Sequence, residues 1–265
     1  MSLAKQVILF VVDGLCPDAL PQTPTPALDS LIAQGAHTRQ AQSVMPSVTL
    51  PCHASMFCAV PPERHGVTDN VWTPSQPPVP SIIEIAHQAG LGTAAFYTWE
   101  PLRDLAPPGA LNVAYLYRLE ENTGERDLKI AAAAAETIAA HNLGFVFVYL
   151  AAPDTIGHLH GWMSPPYLEA VSLADKAIGL VLKSLRSDTA CLVLADHGGH
   201  GMEHGTDLPE DLTIPWIVSG PGIRRGHEIR SAVGITDTAP TIAHLLGLPA
   251  PSEWNGRVIT EALSS

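Results

Sequence analysis

Val7-Ile-Leu-Phe-Val-Val12, closed by Asp13, is the stretch that decides the architecture. Its β-branched and aromatic content reads as a strand buried on both faces, the kind found in parallel sheets covered by helices. Working outward, similar short apolar runs recur at residues 92–97, 145–150, 190–195 and 214–218. Helical stretches separate them. Thr25-Pro26 caps a helix that Gly35 ends, and Ser81-Ile-Ile-Glu84 is a capping box whose helix stops at Gly90. Residues 125–141 contain the run from Ala131 to Ala135 and form a strong helix by propensity. Residues 165–186 place Leu168, Val171, Ile178, Leu182 and Leu185 on one face, and residues 238–246 form a closing helix ended by Gly247. This alternation predicts an α/β fold: a doubly wound, mainly parallel central sheet with helices on both faces, in one domain over residues 1–265. Residues 98–124 are irregular and leave room for a small cap. Residues 61–80 hold six prolines and read as an excursion over the surface.

The composition excludes several classes. Of 265 residues, 46% are apolar and only 15% charged. An average soluble domain carries about 25% charged residues, so this is no disordered tail. Fourteen Lys and Arg against 26 Asp and Glu give a net charge of −12, with no basic face for a nucleic-acid backbone. Cys16, Cys52, Cys58 and Cys191 lack CxxC spacing, which disfavours a disulfide scaffold or a cysteine zinc finger and favours buried free thiols. The apolar run at 7–12 is too short for a signal-peptide core, and no stretch approaches the roughly 18 apolar residues of a membrane span. The expectation is a soluble, cytoplasmic protein with no membrane partner. Gly90-Leu-Gly92-Thr-Ala-Ala95 imitates a dinucleotide fingerprint but sits between a helix and the next strand, the wrong order for one. No GxxxxGK and no GxSxG string occurs.

In an open α/β sheet, functional groups gather beyond the carboxyl ends of the strands. Asp13 follows the strand at 7–12, Asp154 and His158 follow that at 145–150, and Asp196 and His197 follow that at 190–195. Gly198-Gly199 suggests a sharp turn that lets Asp196 and His197 converge, and His204 can return to the same place. Each alone is commonplace, since an Asp at a strand end is usually a turn former. Together, three carboxylates and three imidazoles suit a two-metal hydrolytic site, with zinc first and manganese, iron or cobalt as alternatives. Thr49 opens the helix-like stretch 49–60 and supplies a hydroxyl nucleophile; a helix N-terminus behind it would add N–H groups for an anionic phosphate. His53, His160 and His200 read as supporting or solvent-facing, and the other histidines as ordinary.

Met45-Pro-Ser-Val-Thr49-Leu-Pro-Cys-His53, Arg64-His-Gly66, Asn70, Asp154-Thr-Ile-Gly-His158, Asp196-His197-Gly198 and His204-Gly205 occur in an order that resembles the nucleotide pyrophosphatase/phosphodiesterase branch of the alkaline phosphatase superfamily. The tail from Asp237 to Gly247 is similar to that superfamily's closing helix. The resemblance implies an alkaline phosphatase-like fold and two metal sites, one of Asp154, His158 and His204 and one of Asp13, Asp196, His197 and Thr49. It implies that Thr49 attacks phosphorus, that Asn70 donates to a non-bridging oxygen, and that activated water hydrolyses the phospho-threonine. Two positions differ from the family: Cys52 stands in Pro-Cys-His where Pro-Asn-His is common, and Leu50 where an aromatic often follows the nucleophile.

The reading is a metal-dependent hydrolase of a small phosphate ester, a phosphodiesterase or nucleotide pyrophosphatase first. A phosphomonoesterase or phosphonate hydrolase is the nearest rival, and a metal-stabilised binding module the third. No Cys-x-Pro-x-Arg or Ser-x-Pro-x-Arg string supports a sulfatase. Between Pro46 and Pro80 the only cationic side chain besides histidine is Arg64, expected to face solvent, so a preference for singly charged diesters follows from charge counting.

Overall fold

A computed structural model describes residues 3–75, 78–118 and 125–264. The chain runs β1 Gln6–Val12, α1 Pro26–Gln34, β2 Gly35–Gln42, α2 Thr49–Cys58, α3 Pro62–His65, α4 Ile82–Gln88, β3 Thr93–Tyr97 and β4 Val113–Leu116. It continues through α5 Glu125–Ala140, β5 Phe145–Leu150, α6 Ala152–His160, α7 Pro165–Leu182, β6 Thr189–Leu194, α8 Pro209–Leu212, β7 Thr213–Ser219, β8 His227–Glu228 and α9 Thr238–Leu246. All eight strands join one sheet in the order β4-β3-β5-β1-β6-β7-β2-β8. From β4 through β6 every pairing is parallel, whereas β7 lies antiparallel to both β6 and β2. The sheet is mainly parallel, as the apolar runs imply. One helix layer gathers α1, α5 and α6 on α7, and another gathers α2, α4 and α9.

β1 is buried along its whole length because it is sandwiched between β5 and β6. That position makes it the centre of the site. Val12 pairs with Leu150 on one side, and Val11 pairs with Leu194 on the other. Continued by two residues, the second register sets Asp13 level with Asp196. Asp154 comes in on the first turn of α6, immediately after β5.

Several local readings need correction. Thr25 makes no side-chain cap of α1. Asp175 of α7 does so from across the layer, its carboxylate oxygens accepting the Ala27 N–H at 3.1 Å and the Leu28 N–H at 2.8 Å. Gly35 does not end α1 by a left-handed turn; its backbone is extended (φ −136°) and it opens β2. A Cβ there would lie 2.1 Å from the Val218 carbonyl oxygen, so glycine is needed for close approach to β7. The segment with room for a small cap forms a 3-10 turn, Glu100–Leu105, and then β4 at the sheet edge. Its residues 119–124 lie outside the described residues. Among the described residues no helix is long and apolar enough to cross a membrane.

Candidate active site

Seven separate parts of the chain meet at one cleft of about 350 Å³, among whose lining residues are Asp13, Thr49, Asn70, Asp154, His158 and His204. Two groups of metal-competent side chains form there: Asp154, His158 and His204, and Asp13, Asp196 and His197. Within each group the ligand atoms lie within 4.8 Å of one another. Asp154 and His158 stand one turn apart on α6, with Asp154 Oδ1 3.4 Å from His158 Nε2 and 3.6 Å from His204 Nε2. In the other group His197 Nε2 is 3.2 Å from Asp13 Oδ1 and 3.5 Å from Asp196 Oδ2. The His197 and His204 rings stack at 3.8 Å and join the two groups.

Each imidazole is oriented by a backbone carbonyl. Nδ1 of His158, His197 and His204 lies 3.0, 2.8 and 2.8 Å from the carbonyl oxygens of Met202, Gly198 and Ser47. A carbonyl only accepts, so each Nδ1 carries the proton and each Nε2 presents a lone pair towards the carboxylates. The acids divide their oxygens in the same way. Asp13 Oδ2 accepts from the Tyr149 hydroxyl, and Asp196 Oδ1 accepts from the N–H groups of Gly14 and His197. Among the described residues, Asp13 Oδ1, Asp196 Oδ2 and Asp154 Oδ1 are buried without a hydrogen-bond partner.

The electrostatics follow from this packing. Burial pushes Asp13 well above the usual carboxylate range, and the Asp196 and Asp154 charges push it further. Asp196 is raised as well, by burial against the opposing pull of His53. Burial also acts upward on Asp154, yet the surrounding imidazoles of His158, His197 and His204 leave it below its ordinary value. Burial holds His197 and His204 low, towards the neutral, ligating form. Crowded carboxylates with open oxygens and neutral imidazoles with open Nε2 atoms are compensated by divalent cations, so the residues fit a two-ion centre.

Thr49 is the first residue of α2, and its Oγ lies 3.4 Å from His197 Nε2. Of the N–H groups expected behind it, that of Thr49 has no partner among the described residues, and the next ones are engaged. Asn70 Oδ1 accepts the Leu50 N–H at 3.0 Å, Pro51 has none, and the Cys52 N–H bonds the Val48 carbonyl. Asn70 also lines the cleft, and with its Oδ1 so engaged its amide N–H groups remain as donors. Leu50 and Cys52 are wholly buried, which places the two family departures in the core behind the nucleophile. Gly198 and Gly199 do not make a left-handed turn. They are glycines for want of space: a Cβ would lie 2.0 Å from the Glu210 carbonyl oxygen at Gly198 and 2.2 Å from the Trp162 ring at Gly199.

The supporting histidines are placed as well. His53 Nδ1 donates to the Thr49 carbonyl at 2.7 Å, and His200 Nδ1 lies 2.7 Å from Asp211 Oδ1. The other Asp211 oxygen accepts from the Thr206 N–H and hydroxyl, so Asp211 braces the loop that carries His204. His160 is exposed. Sequence reasoning missed Tyr149, Thr98, Trp99, Thr155 and Arg126, all of which line the cleft. Tyr149 carried a usable signal, a hydroxyl near the end of an otherwise apolar strand. Arg64 is exposed, as expected. The charge-counting premise nevertheless falls, because Arg126 brings a cation to the cleft from the start of α5.

A mainly parallel, doubly wound sheet covered by helices is the alkaline phosphatase-like fold, and here it carries two carboxylate–imidazole groups beside a hydroxyl on the first residue of a helix. Residues 7–214 match the model of the type I phosphodiesterase/nucleotide pyrophosphatase family, and the chain belongs to that family. It is 28% identical over 253 residues to ectonucleotide pyrophosphatase/phosphodiesterase family member 3 of Rattus norvegicus, covering 82% of this chain and 28% of the rat protein. Venom phosphodiesterase 2 of Crotalus adamanteus is 24% identical, covering 72% of this chain and 26% of its own length. The chain thus spans between a quarter and a third of these relatives. An inactive form of murine ectonucleotide pyrophosphatase/phosphodiesterase 5 in complex with AMP superposes with a TM-score of 0.81 at 18% identity, covering 98% of this chain and 100% of that one. A 2-O GAG sulfatase superposes at 0.79 and 16% identity, covering 96% and 73%. These two likenesses describe the fold.

Proposed function

We propose that the chain is a metal-dependent phosphoric ester hydrolase of the phosphodiesterase/nucleotide pyrophosphatase kind, acting through Thr49 on a small-molecule substrate. The observation that carries this reading is the convergence of two carboxylate–imidazole groups at one cleft with a hydroxyl at the start of α2, which lies beside His197. Asp154, His158 and His204 would hold one divalent ion, and Asp13, Asp196, His197 and the Thr49 oxygen a second; nitrogen and oxygen donors favour zinc, with manganese, iron or cobalt as alternatives. When bound, the ions supply positive charge that makes the Thr49 hydroxyl a better nucleophile and offsets the phosphate. Thr49 Oγ gives an electron pair to phosphorus, and the bond from phosphorus to the leaving-group oxygen breaks. The proton lost by Thr49 passes to solvent and the leaving-group oxygen takes up one in its place. Water then attacks the same phosphorus, and the bond from phosphorus to Thr49 Oγ breaks. A diester substrate leaves as a phosphomonoester (a monoester as phosphate) while Oγ regains a proton from the water. Asn70 holds a non-bridging oxygen through its amide N–H. Tyr149 fixes Asp13 by donating to it.

One observation favours the rival phosphomonoesterase or phosphonate hydrolase: Arg126 in the cleft suits a second negative charge. Elemental analysis, followed by kcat/KM on aryl mono- and diesters with matched leaving groups, tests both readings. Two metal equivalents with diester turnover support the proposal, and a clear monoester preference would promote the rival. A fully metal-loaded chain that hydrolyses neither would be a binding module. The four cysteines are buried free thiols, which supports a reducing compartment such as the cytoplasm as its place.

A further inference from the structure

Two side chains in the cleft have no part in the scheme above. Thr98, just after β3, is only 7% exposed, and its Oγ is buried without a hydrogen-bond partner. Arg126, the second residue of α5, has a buried Nε that likewise finds no partner among the described residues. Both line the same cleft as Thr49 and the metal-competent groups. The adjacent Asp127 does not use the guanidinium. Its two oxygens each accept a backbone N–H at 3.0 Å, from Ala151 and Ala152. Those bonds tie the first turn of α5 to the start of α6 and hold Arg126 beside the cleft. The Arg126 Nε thus has a donor without an acceptor among the described residues, and the buried Thr98 hydroxyl beside the same cavity is in the same condition.

We propose that Arg126 and Thr98 form an anion subsite that receives a second negative charge of the substrate, beyond the one on a simple diester. This deepens the hydrolase reading and rests on it for the place of the scissile phosphorus. The second charge has two sources. In a monoester dianion it sits on the scissile phosphorus itself, and in a pyrophosphate diester it sits on the neighbouring phosphorus. Both present anionic phosphate oxygens, for which the planar guanidinium fork and a hydroxyl are matched donors.

The test uses the full chain loaded with zinc and three substrates sharing a 4-nitrophenolate leaving group: a monoester, a phenyl diester and a pyrophosphate diester. Arg126→Gln is expected to lower kcat/KM for a doubly charged substrate, relative to the phenyl diester, by about 10- to 150-fold, the weight of one charge-assisted hydrogen bond. Whichever doubly charged substrate suffers identifies where the second charge sits. Arg126→Lys recovers part of the ratio, and Thr98→Val lowers it by a smaller factor. Equal changes on all three substrates would overturn the subsite. A binding readout stands apart from turnover: calorimetry of inorganic phosphate and of dimethyl phosphate on the Thr49→Ala protein. Arg126→Gln should weaken phosphate at least about tenfold more than dimethyl phosphate. If the wild-type chain hydrolyses none of the esters, the hydrolase reading fails, while phosphate binding still decides the subsite. Phosphate affinity indifferent to Arg126→Gln would refute it.

Discussion

At the scale of single residues, the site works by assigning each polar atom one task. His158, His197 and His204 each spend Nδ1 on a carbonyl, and Asp13 and Asp196 each spend one oxygen on a protein donor. Thr49 presents its hydroxyl beside His197 from the first position of α2, so Thr49→Ala should lower turnover by at least about a thousandfold. Metal content should stay at two equivalents by elemental analysis; a loaded Thr49→Ala protein with near wild-type kcat would remove Thr49 as nucleophile. A different histidine reports on pH. His65 accepts the Val67 N–H at Nδ1 and lies 2.9 Å from Ser55 Oγ through Nε2, and burial pulls it from 6.5 down to about 4. The unfolded chain therefore takes the proton first. The stability from the neutral ring is complete above 6.5 and is lost as pH falls towards 4. Between pH 7 and 5 this amounts to about 2 kcal/mol at most. Denaturant unfolding should show a smaller pH dependence in His65→Gln by that amount, and an unchanged slope would disprove the assignment.

At the scale of elements, two helices begin on a carboxylate lent by another helix. Asp175 of α7 holds the start of α1, and Asp127 of α5 holds the start of α6, the helix that bears Asp154 and His158. Asp127→Ala frees two N–H groups and should cost about 1–3 kcal/mol of stability. It should also weaken metal binding roughly 10- to 100-fold, because it loosens a helix that carries ligands. Asp175→Ala should cost similar stability and leave metal affinity near wild type. Thermal unfolding with chelator competition separates the two, and equal metal affinity in both variants would contradict the account. Such distant caps explain what the sequence hid. Strands β1, β3, β5, β6 and β7 were legible because their apolar runs are unbroken. β2 reads Gly-Ala-His-Thr-Arg-Gln-Ala-Gln, with small and polar residues that pack only because β7 and β8 flank it. The cluster at the ends of β1, β5 and β6 was legible because parallel neighbours put their carboxyl ends side by side. Arg126 was not, since nothing local says that the start of an alanine-rich helix will reach a cleft.

At the scale of the whole molecule, the metal-competent residues come from β1, α2, α6 and the loop after β6, so bound ions would fasten distant parts of the chain together. Each ion at a hundred times its dissociation constant adds about 2.7 kcal/mol to folding stability. Chelation should therefore lower Tm, and readdition of zinc should restore it; a Tm indifferent to chelator would mean that the centre holds no ion tightly. The same long reach governs how the protein is made. In β1, Val7 pairs with Phe145 and Ala190, so on the ribosome this strand lacks both neighbours until the distant β5 and then β6 have been made. At ordinary elongation rates that wait is on the order of ten seconds or more. Throughout it, Val-Ile-Leu-Phe-Val-Val is an unpaired, wholly apolar segment in a crowded cell. Newborn copies of this protein are thus natural clients for chaperones that grip short hydrophobic stretches, and their yield should depend on how fast the rest of the sheet is translated.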